Sequence, residues 1–173
     1  KKLGYLYRTL KDSPPETKLL TYKSPIRPIL EYACPVWNPH KKSDISTLES
    51  VQKKAIRFIF RRYDWNFSPY FQLATLGLQT LSERRELECL KLLHILVNTP
   101  RYASTNEYMS PDKLKPTRNS HKLNLTPFHP RTNLFKFSFF PHTIKKWNVL
   151  LGSTRLYPLE DFLHECIDLR FVY

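Results

Sequence analysis

Only three glycines, Gly4, Gly77 and Gly152, occur in the 173 residues, against fourteen prolines. Tight hairpins draw on glycine for backbone of positive φ, so a chain this poor in it has few places to turn one strand into the next. Between the prolines lie long runs with an apolar residue every third or fourth position, the period of a helix with one buried face. The predicted fold class is therefore mainly α: an irregular helical bundle with a long proline-rich basic loop or arm. Three parts follow: residues 1–98 as a helical segment, 99–137 as a basic irregular arm, and 138–173 as a C-terminal helical pair packing back on the first segment.

The clearest helix is 44–62, DISTLESVQKKAIRFIFRR. On a helical wheel Ile45, Leu48, Val51, Ala55, Phe58 and Ile59 fall on one side, and Lys53, Lys54, Arg57 and Arg61 on the other. Ser46 and Glu49 have the spacing of a capping box, with Ser43 as an alternative cap. A second such pair, Thr80 and Glu83, opens a helix to about Val97 whose core stripe is Leu87, Leu90, Leu93 and Val97. Between these, 68–76 reads as a short helix stopped by Gly77. Upstream, 16–34 has helical periodicity, but Pro25 and Pro28 should kink or break it. Residues 35–42 read as a proline-bounded loop carrying Trp37. Residues 141–151 form a helix with Ile144, Trp147 and Leu151 on one face. Residues 158–170 form another, with Leu159, Phe162, Leu163 and Cys166 inward. Phe139, Phe140, Trp37 and Trp147 are assigned to packing.

Net charge is +13, unevenly spread: +8 over residues 1–65, zero over 66–98, +7 over 99–150 and −2 over 151–173. Two basic stretches thus flank a neutral helical segment. Such a surface attracts polyanions, and interleaved aromatics can stack on unpaired bases. Two places suit phosphate: the ridge of Lys53, Lys54, Arg57 and Arg61, which reads equally as the solvated face of an amphipathic helix, and the stretch from Arg118 to Trp147, which includes His121, Lys122 and Arg131 and whose aromatics read as core.

Catalytic motifs are missing from the sequence. Its six aspartates are scattered, whereas two-metal chemistry needs converging carboxylates. Glu83, Glu86 and Glu88 lie beside Arg84 and Arg85, and surface pairing along the helix accounts for them. No phosphate loop, dinucleotide turn, zinc-protease pair or serine elbow occurs. A Cys–His dyad assembled by folding, such as Cys34 with His40, is the one hydrolase candidate. Cys34, Cys89 and Cys166 have no paired spacing, so a structural zinc is not expected and no cofactor is assigned. Three small buried thiols in a reducing compartment fit them better. No apolar stretch is long enough to cross a bilayer, and no membrane partner is expected. The absence of an initiator methionine leads us to expect a piece of a longer reading frame.

Several of these motifs together resemble a known pattern. The run YKSPIRPILEYACPVWNPHKKSDISTLESVQKKAIRFIF is similar to the segment after the polymerase domain in jockey-type, LINE-like non-LTR retrotransposon reverse transcriptases. The match lies in residues 27–32, Val36, Trp37 and Pro39, then Leu48, Glu49, Val51, Gln52, Ala55 and Arg57. A second block matches through Leu76, Gly77, Leu81, Arg84, Arg85, Leu92 and Ile95, and a third through Thr117, Arg118 and His121. The fourth matches through residues 138–141, Thr143, Ile144, Trp147 and Asn148. The four blocks keep their order over about residues 20–165. Pro25 stands for an aliphatic residue of the pattern, His142 for an arginine, and Leu151-Gly152 for Leu-Pro. The family's Phe/Tyr-x-Asp-Asp catalytic motif does not lie in this span, so no polymerase residue is carried over.

The resemblance implies a non-catalytic C-terminal fragment, at the polymerase thumb and beyond, of an RNA-directed DNA polymerase. It would contact template RNA or primer–template, RNA or DNA, through phosphates during target-primed reverse transcription, with Lys53, Lys54, Arg57 and Arg61 as one set of contacts and Arg118, His121, Lys122 and Arg131 as a second, and adjoin the polymerase domain of the same polypeptide. An intracellular location, in a cytoplasmic ribonucleoprotein and the nucleus, is implied with it. The alternative is a helical protein-interaction module, or an inactive relic of a transposable element, with no affinity for nucleic acid.

Overall fold

The computed structural model describes residues 1–103, 107–110 and 123–168. Their backbone is mainly helical, as the glycine-poor sequence requires. Two compact units are present, one formed by Lys1–Cys34 with Pro39–Arg84, the other by Pro35–Asn38 with Arg85–Tyr173.

The first unit contains α1 (Lys2–Thr9), α2 (Pro15–Thr21) and α3 (Arg27–Glu31), and at its edge α4 (Cys34–Trp37) begins; α5 (Lys42–Phe60) and α6 (Gln72–Thr75) complete it. Pro25 does not break the helical path. Residues Tyr22–Ile26 widen into a π-helical turn, in which the N–H of Arg27 donates to the carbonyl of Tyr22 five residues back. A proline has no N–H to give, and the extra residue of a π-turn takes up the misfit. Pro28 falls in the first turn of α3, where the N–H has no helical partner in any case. The expected loop at 35–42 is in part helical, since α4 runs to Trp37. The core of this unit gathers Tyr22, Ile26, Ala55 and Leu78, with Leu3, Leu6, Leu19, Leu30, Val51, Leu73 and Leu76 packed around them.

The N-terminus of α5 differs from expectation. The helix starts at Lys42, and neither Ser43 nor Ser46 caps it. It stops at Arg61, which adopts left-handed backbone, φ 54°. Gly77 ends α6 as predicted, with φ +58° and the N–H of Leu78 reaching the carbonyl of Leu73 at 2.9 Å.

Helix α7 (Leu81–Asn98) opens on the expected capping box. The N–H of Glu83 donates to Thr80 Oγ1 at 3.1 Å, and the N–H of Thr80 donates back to Glu83 Oε2 at 2.9 Å. From Arg85 onward α7 belongs to the second unit, with α8 (Pro100–Ala103), α9 (Asn133–Lys136), α10 (Phe139–Val149) and α11 (Leu159–Asp168). Its core joins Leu90, Leu93, Met109, Leu125, Ile144, Trp147, Leu150, Phe162 and Cys166. Leu151, expected inward, is exposed, and Leu150 takes the buried place because α10 ends at Val149 and the chain extends there. Phe139 and Phe140 pack half-buried against this core.

Within 99–137, the described residues that follow α8 are fastened to the second unit. Leu125 is buried, its N–H donates to Asn148 Oδ1 at 3.1 Å, and its carbonyl accepts from Asn148 Nδ2 at 2.7 Å. Trp147 Nε1 donates to the carbonyl of Leu123 at 2.9 Å. A tryptophan is fully buried only where its N–H finds an acceptor, and this carbonyl supplies it.

Candidate nucleic-acid interface

Helix α5 sets the geometry of the first basic stretch. Its apolar side is drawn into the first unit, where Ala55, Ile56, Phe58 and Ile59 are buried together with Gln52, whose amide donates to the carbonyl of Gln79 at 3.0 Å. The opposite side is left to solvent, and Lys53 and Lys54 stand on it, both exposed. Among the described residues no carboxylate forms an ion pair with either ammonium.

Arg57 and Arg61 are placed differently from those lysines. Arg57 is half-buried, and its Nε lies out of reach of solvent without a hydrogen-bond partner. It shares its neighbourhood with Tyr7, whose hydroxyl donates to the carbonyl of Lys54 at 2.6 Å. Burial, reinforced by Tyr63, pushes the Tyr7 phenol up to about 12 although Arg57 acts the other way, so Tyr7 remains a donor throughout the neutral range. Arg61 sits at the left-handed residue that closes α5 and pairs with Asp12 at 3.1 Å, both side chains largely in water. A surface pair of this kind contributes about 0–1 kcal/mol and yields readily to a competing phosphate.

Of the second predicted set, Arg131 alone lies among the described residues. Arg131 is exposed just ahead of α9, where Thr132 caps the helix by accepting the N–H of Phe135. Arg118, His121 and Lys122 lie outside the described residues.

The charged cluster of α7 departs from simple pairing along the helix. Glu88 with Lys91, at 3.5 Å, is a pair of that kind. In the first unit Arg84 grips Glu31 with two hydrogen bonds, Nε to Oε1 at 2.5 Å and Nη2 to Oε2 at 2.9 Å. In the second unit Arg85 donates to Asn38 Oδ1 at 3.1 Å, while Glu86 meets His142 at 3.1 Å and Lys146 at 2.9 Å. Burial alone would raise the Glu86 carboxyl, but the His142 hydrogen bond and the Lys146 charge outweigh it and bring the value down to about 2. Lys146 is thereby occupied within the protein. The sequence signal was present, since Glu31, Asn38, Arg84, Arg85 and His142 all stand in or beside the four blocks, but spacing along one helix could not reveal partners some fifty residues away.

Of the pair named from sequence, Cys34 is buried and His40 is exposed. No cluster of three or more His, Cys, Asp or Glu suited to a metal ion occurs among the described residues. A cleft of about 470 Å³ in the second unit is lined chiefly by aromatic and apolar side chains, among them Tyr108, Phe137, Phe139, Phe140 and Leu92. Among the described residues no lysine or arginine lines it. Trp147 is buried as expected, whereas Trp37 is partly exposed. Among the described residues no helix is long and apolar enough to cross a membrane. Compared with protein-family models, curated proteins and solved structures, the chain matches none.

Proposed function

We propose that this chain is the post-polymerase C-terminal segment of a non-LTR retrotransposon reverse transcriptase, and that it holds template RNA or primer–template through phosphates while the chemistry is done elsewhere in the polypeptide. The observation that carries the binding reading is the solvent side of α5, where Lys53 and Lys54 are exposed and, among the described residues, in no ion pair with a carboxylate, on a helix whose other side is buried. The four ordered sequence blocks support the family reading. Phosphate contacts of this kind fix position without reading sequence.

The test is a titration of structured RNA into the 173-residue chain at several salt concentrations. Binding should weaken steeply with salt, because each phosphate neutralised releases condensed counterions. Replacing Lys53 and Lys54 together by alanine should lower affinity about equally for unrelated sequences and reduce the salt slope by about 1 to 2. Affinity indifferent to salt overturns the reading.

One observation favours the second reading, a protein-interaction module. Leu20 and Ile29 of the first unit are both more than half exposed, and apolar surface of this kind suits docking against the polymerase domain. Self-association or aggregation of the isolated chain, with no affinity for RNA or DNA, would select that reading.

A further inference from the structure

The segment leaving α5, residues 61–71, carries four exposed aromatic side chains: Tyr63, Trp65, Tyr70 and Phe71. Trp65 is 91% exposed and Phe71 77%. An indole held in water forgoes the large gain that burial normally gives an aromatic side chain, and this one is held there by a built turn. The N–H of Arg62 reaches back to the carbonyl of Arg57 at 3.1 Å and closes the helix. The N–H of Phe67 then donates to the carbonyl of Asp64 at 3.2 Å, which leaves Trp65 and Asn66 at the tip. Phe67 anchors the turn: it is buried, its ring centroid lies 5.8 Å from that of Phe60, and the Arg62 guanidinium lies 5.5 Å from its own. Tyr63 leans toward Tyr7 at 6.4 Å and still keeps most of its surface in water.

The charge around the turn is positive. Between residues 53 and 65 there are five cations and one carboxylate. The carboxylate, Asp64, pairs with Arg62 at 2.9 Å, and the same guanidinium lies over the Phe67 ring. Arg57 is half-buried, so Lys53, Lys54 and Arg61, the last through a surface pair that yields to phosphate, are the cations best placed for a strand. Lys54 stands on α5 and Arg61 closes that helix seven residues later, about 10 Å along its axis. Exposed rings next to a line of cations match the chemistry of an unpaired polynucleotide, which offers base faces and phosphates together; a duplex hides its base faces.

We infer that the turn at 63–66 is a stacking platform for single-stranded nucleic acid, with a base on Trp65 and the strand's phosphates on Lys53, Lys54 and Arg61. The inference rests on the phosphate-binding reading above and narrows its ligand to unpaired strand.

The test uses the full chain, a fluorescein-labelled single-stranded RNA of about 12 nucleotides and a duplex of the same length. Trp65→Ala should weaken single-strand binding about tenfold and leave the duplex unchanged, whereas Lys53→Ala with Lys54→Ala should weaken both. Unlabelled strand should also quench tryptophan fluorescence in the native protein but not in Trp65→Phe, a readout that holds even if the alanine variant is poorly folded. If Trp65→Ala binds like the native chain while the lysine variant is weakened, stacking is overturned and the phosphate reading stands. Equal weakening for both ligands overturns it as well. Loss of a native dimer in Trp65→Ala at unchanged RNA affinity would assign the surface to a second copy of the chain. Absence of any nucleic-acid binding by the native protein overturns both readings.

Discussion

Glu49, in the middle of α5, accepts the N–H of Ser82 at 2.8 Å through Oε1, and that of Leu81 at 3.4 Å through Oε2. A helix leaves its first N–H groups without helical partners and favours a negative charge beside them. Helix α7 therefore starts on two carboxylates, Glu83 from its own first turn and Glu49 from another helix of the same unit. Glu49→Ala should cost about 1–2 kcal/mol, the range for losing a helix cap, and Glu49→Gln should cost less because its amide oxygen still accepts one bond. Urea titration reads this as a lower midpoint at unchanged slope; an unchanged midpoint in Glu49→Ala would sink the capping role.

Arg84 and Glu31 form a fork in which planar geometry matters as much as charge. Both side chains are largely shielded from solvent, and Arg27 adds a weaker approach to Glu31 at 3.7 Å. Lysine keeps the charge of Arg84 but cannot make two parallel hydrogen bonds. Arg84→Lys should destabilise the chain by about 1–2 kcal/mol, as expected for loss of charge-assisted hydrogen bonds. A double-mutant cycle with Glu31→Gln should show coupling of about 1 kcal/mol or more. Additive effects would mean that the pair contributes nothing specific.

These two contacts mark what sequence alone can reach. The helical class, the Thr80–Glu83 capping box, the Gly77 stop and the inward faces of α5, α7, α10 and α11 follow from local rules of period and spacing, and all are present except that Leu150 rather than Leu151 is buried beyond the end of α10. Glu49 was misread because its spacing from Ser46 suits a local cap, while its hydrogen-bond partners lie 32 and 33 residues away. Pro25 is expected to kink or break the helix because it lacks an N–H, and a π-turn accommodates it without a break. At the candidate site, Lys53 and Lys54 were legible as the polar side of a wheel. Arg57 lies on that same side, yet packing beside Tyr7 half-covers it. Trp65 was missed because nothing in the sequence distinguishes an anchored, exposed indole from a buried one. Arg155 was missed likewise: it is buried, and its guanidinium donates to the carbonyls of Asn148 and Leu150 and to Asn124 Oδ1.

The three cysteines give a direct check on packing. Cys34, Cys89 and Cys166 are buried thiols, no more than 2% exposed. Burial, with Glu165 nearby, pushes the Cys166 thiol up to about 12, so its thiolate is scarce at neutral pH. Ellman's reagent at pH 8 should label almost nothing in the native chain within minutes and three thiols per chain in denaturant. Rapid native labelling of one thiol would show that its part of the core is open.

His94 should make the second unit sensitive to mild acid. Its ring lies between Phe162, at a centroid distance of 4.3 Å, and Trp147, at 6.1 Å, and its Nε2 meets the carbonyl of Tyr157 at 3.1 Å. Burial pushes the imidazole below its ordinary 6.5, and the Tyr157 carbonyl opposes this only in part. The unfolded chain then takes up the proton first, so the stability due to neutral His94 is complete above about pH 6.5 and declines as pH falls from there toward the folded value. Glu86 acts in a separate window: its folded value near 2 lies below the ordinary 4.5, so its contribution is lost only between those limits. Thermal melts at pH 7.5 and 5.5 should therefore show a drop in Tm for the native chain. His94→Gln keeps an N–H donor but has no proton to gain, and its drop should be smaller. Equal drops in the two proteins would exclude His94 as the group responsible.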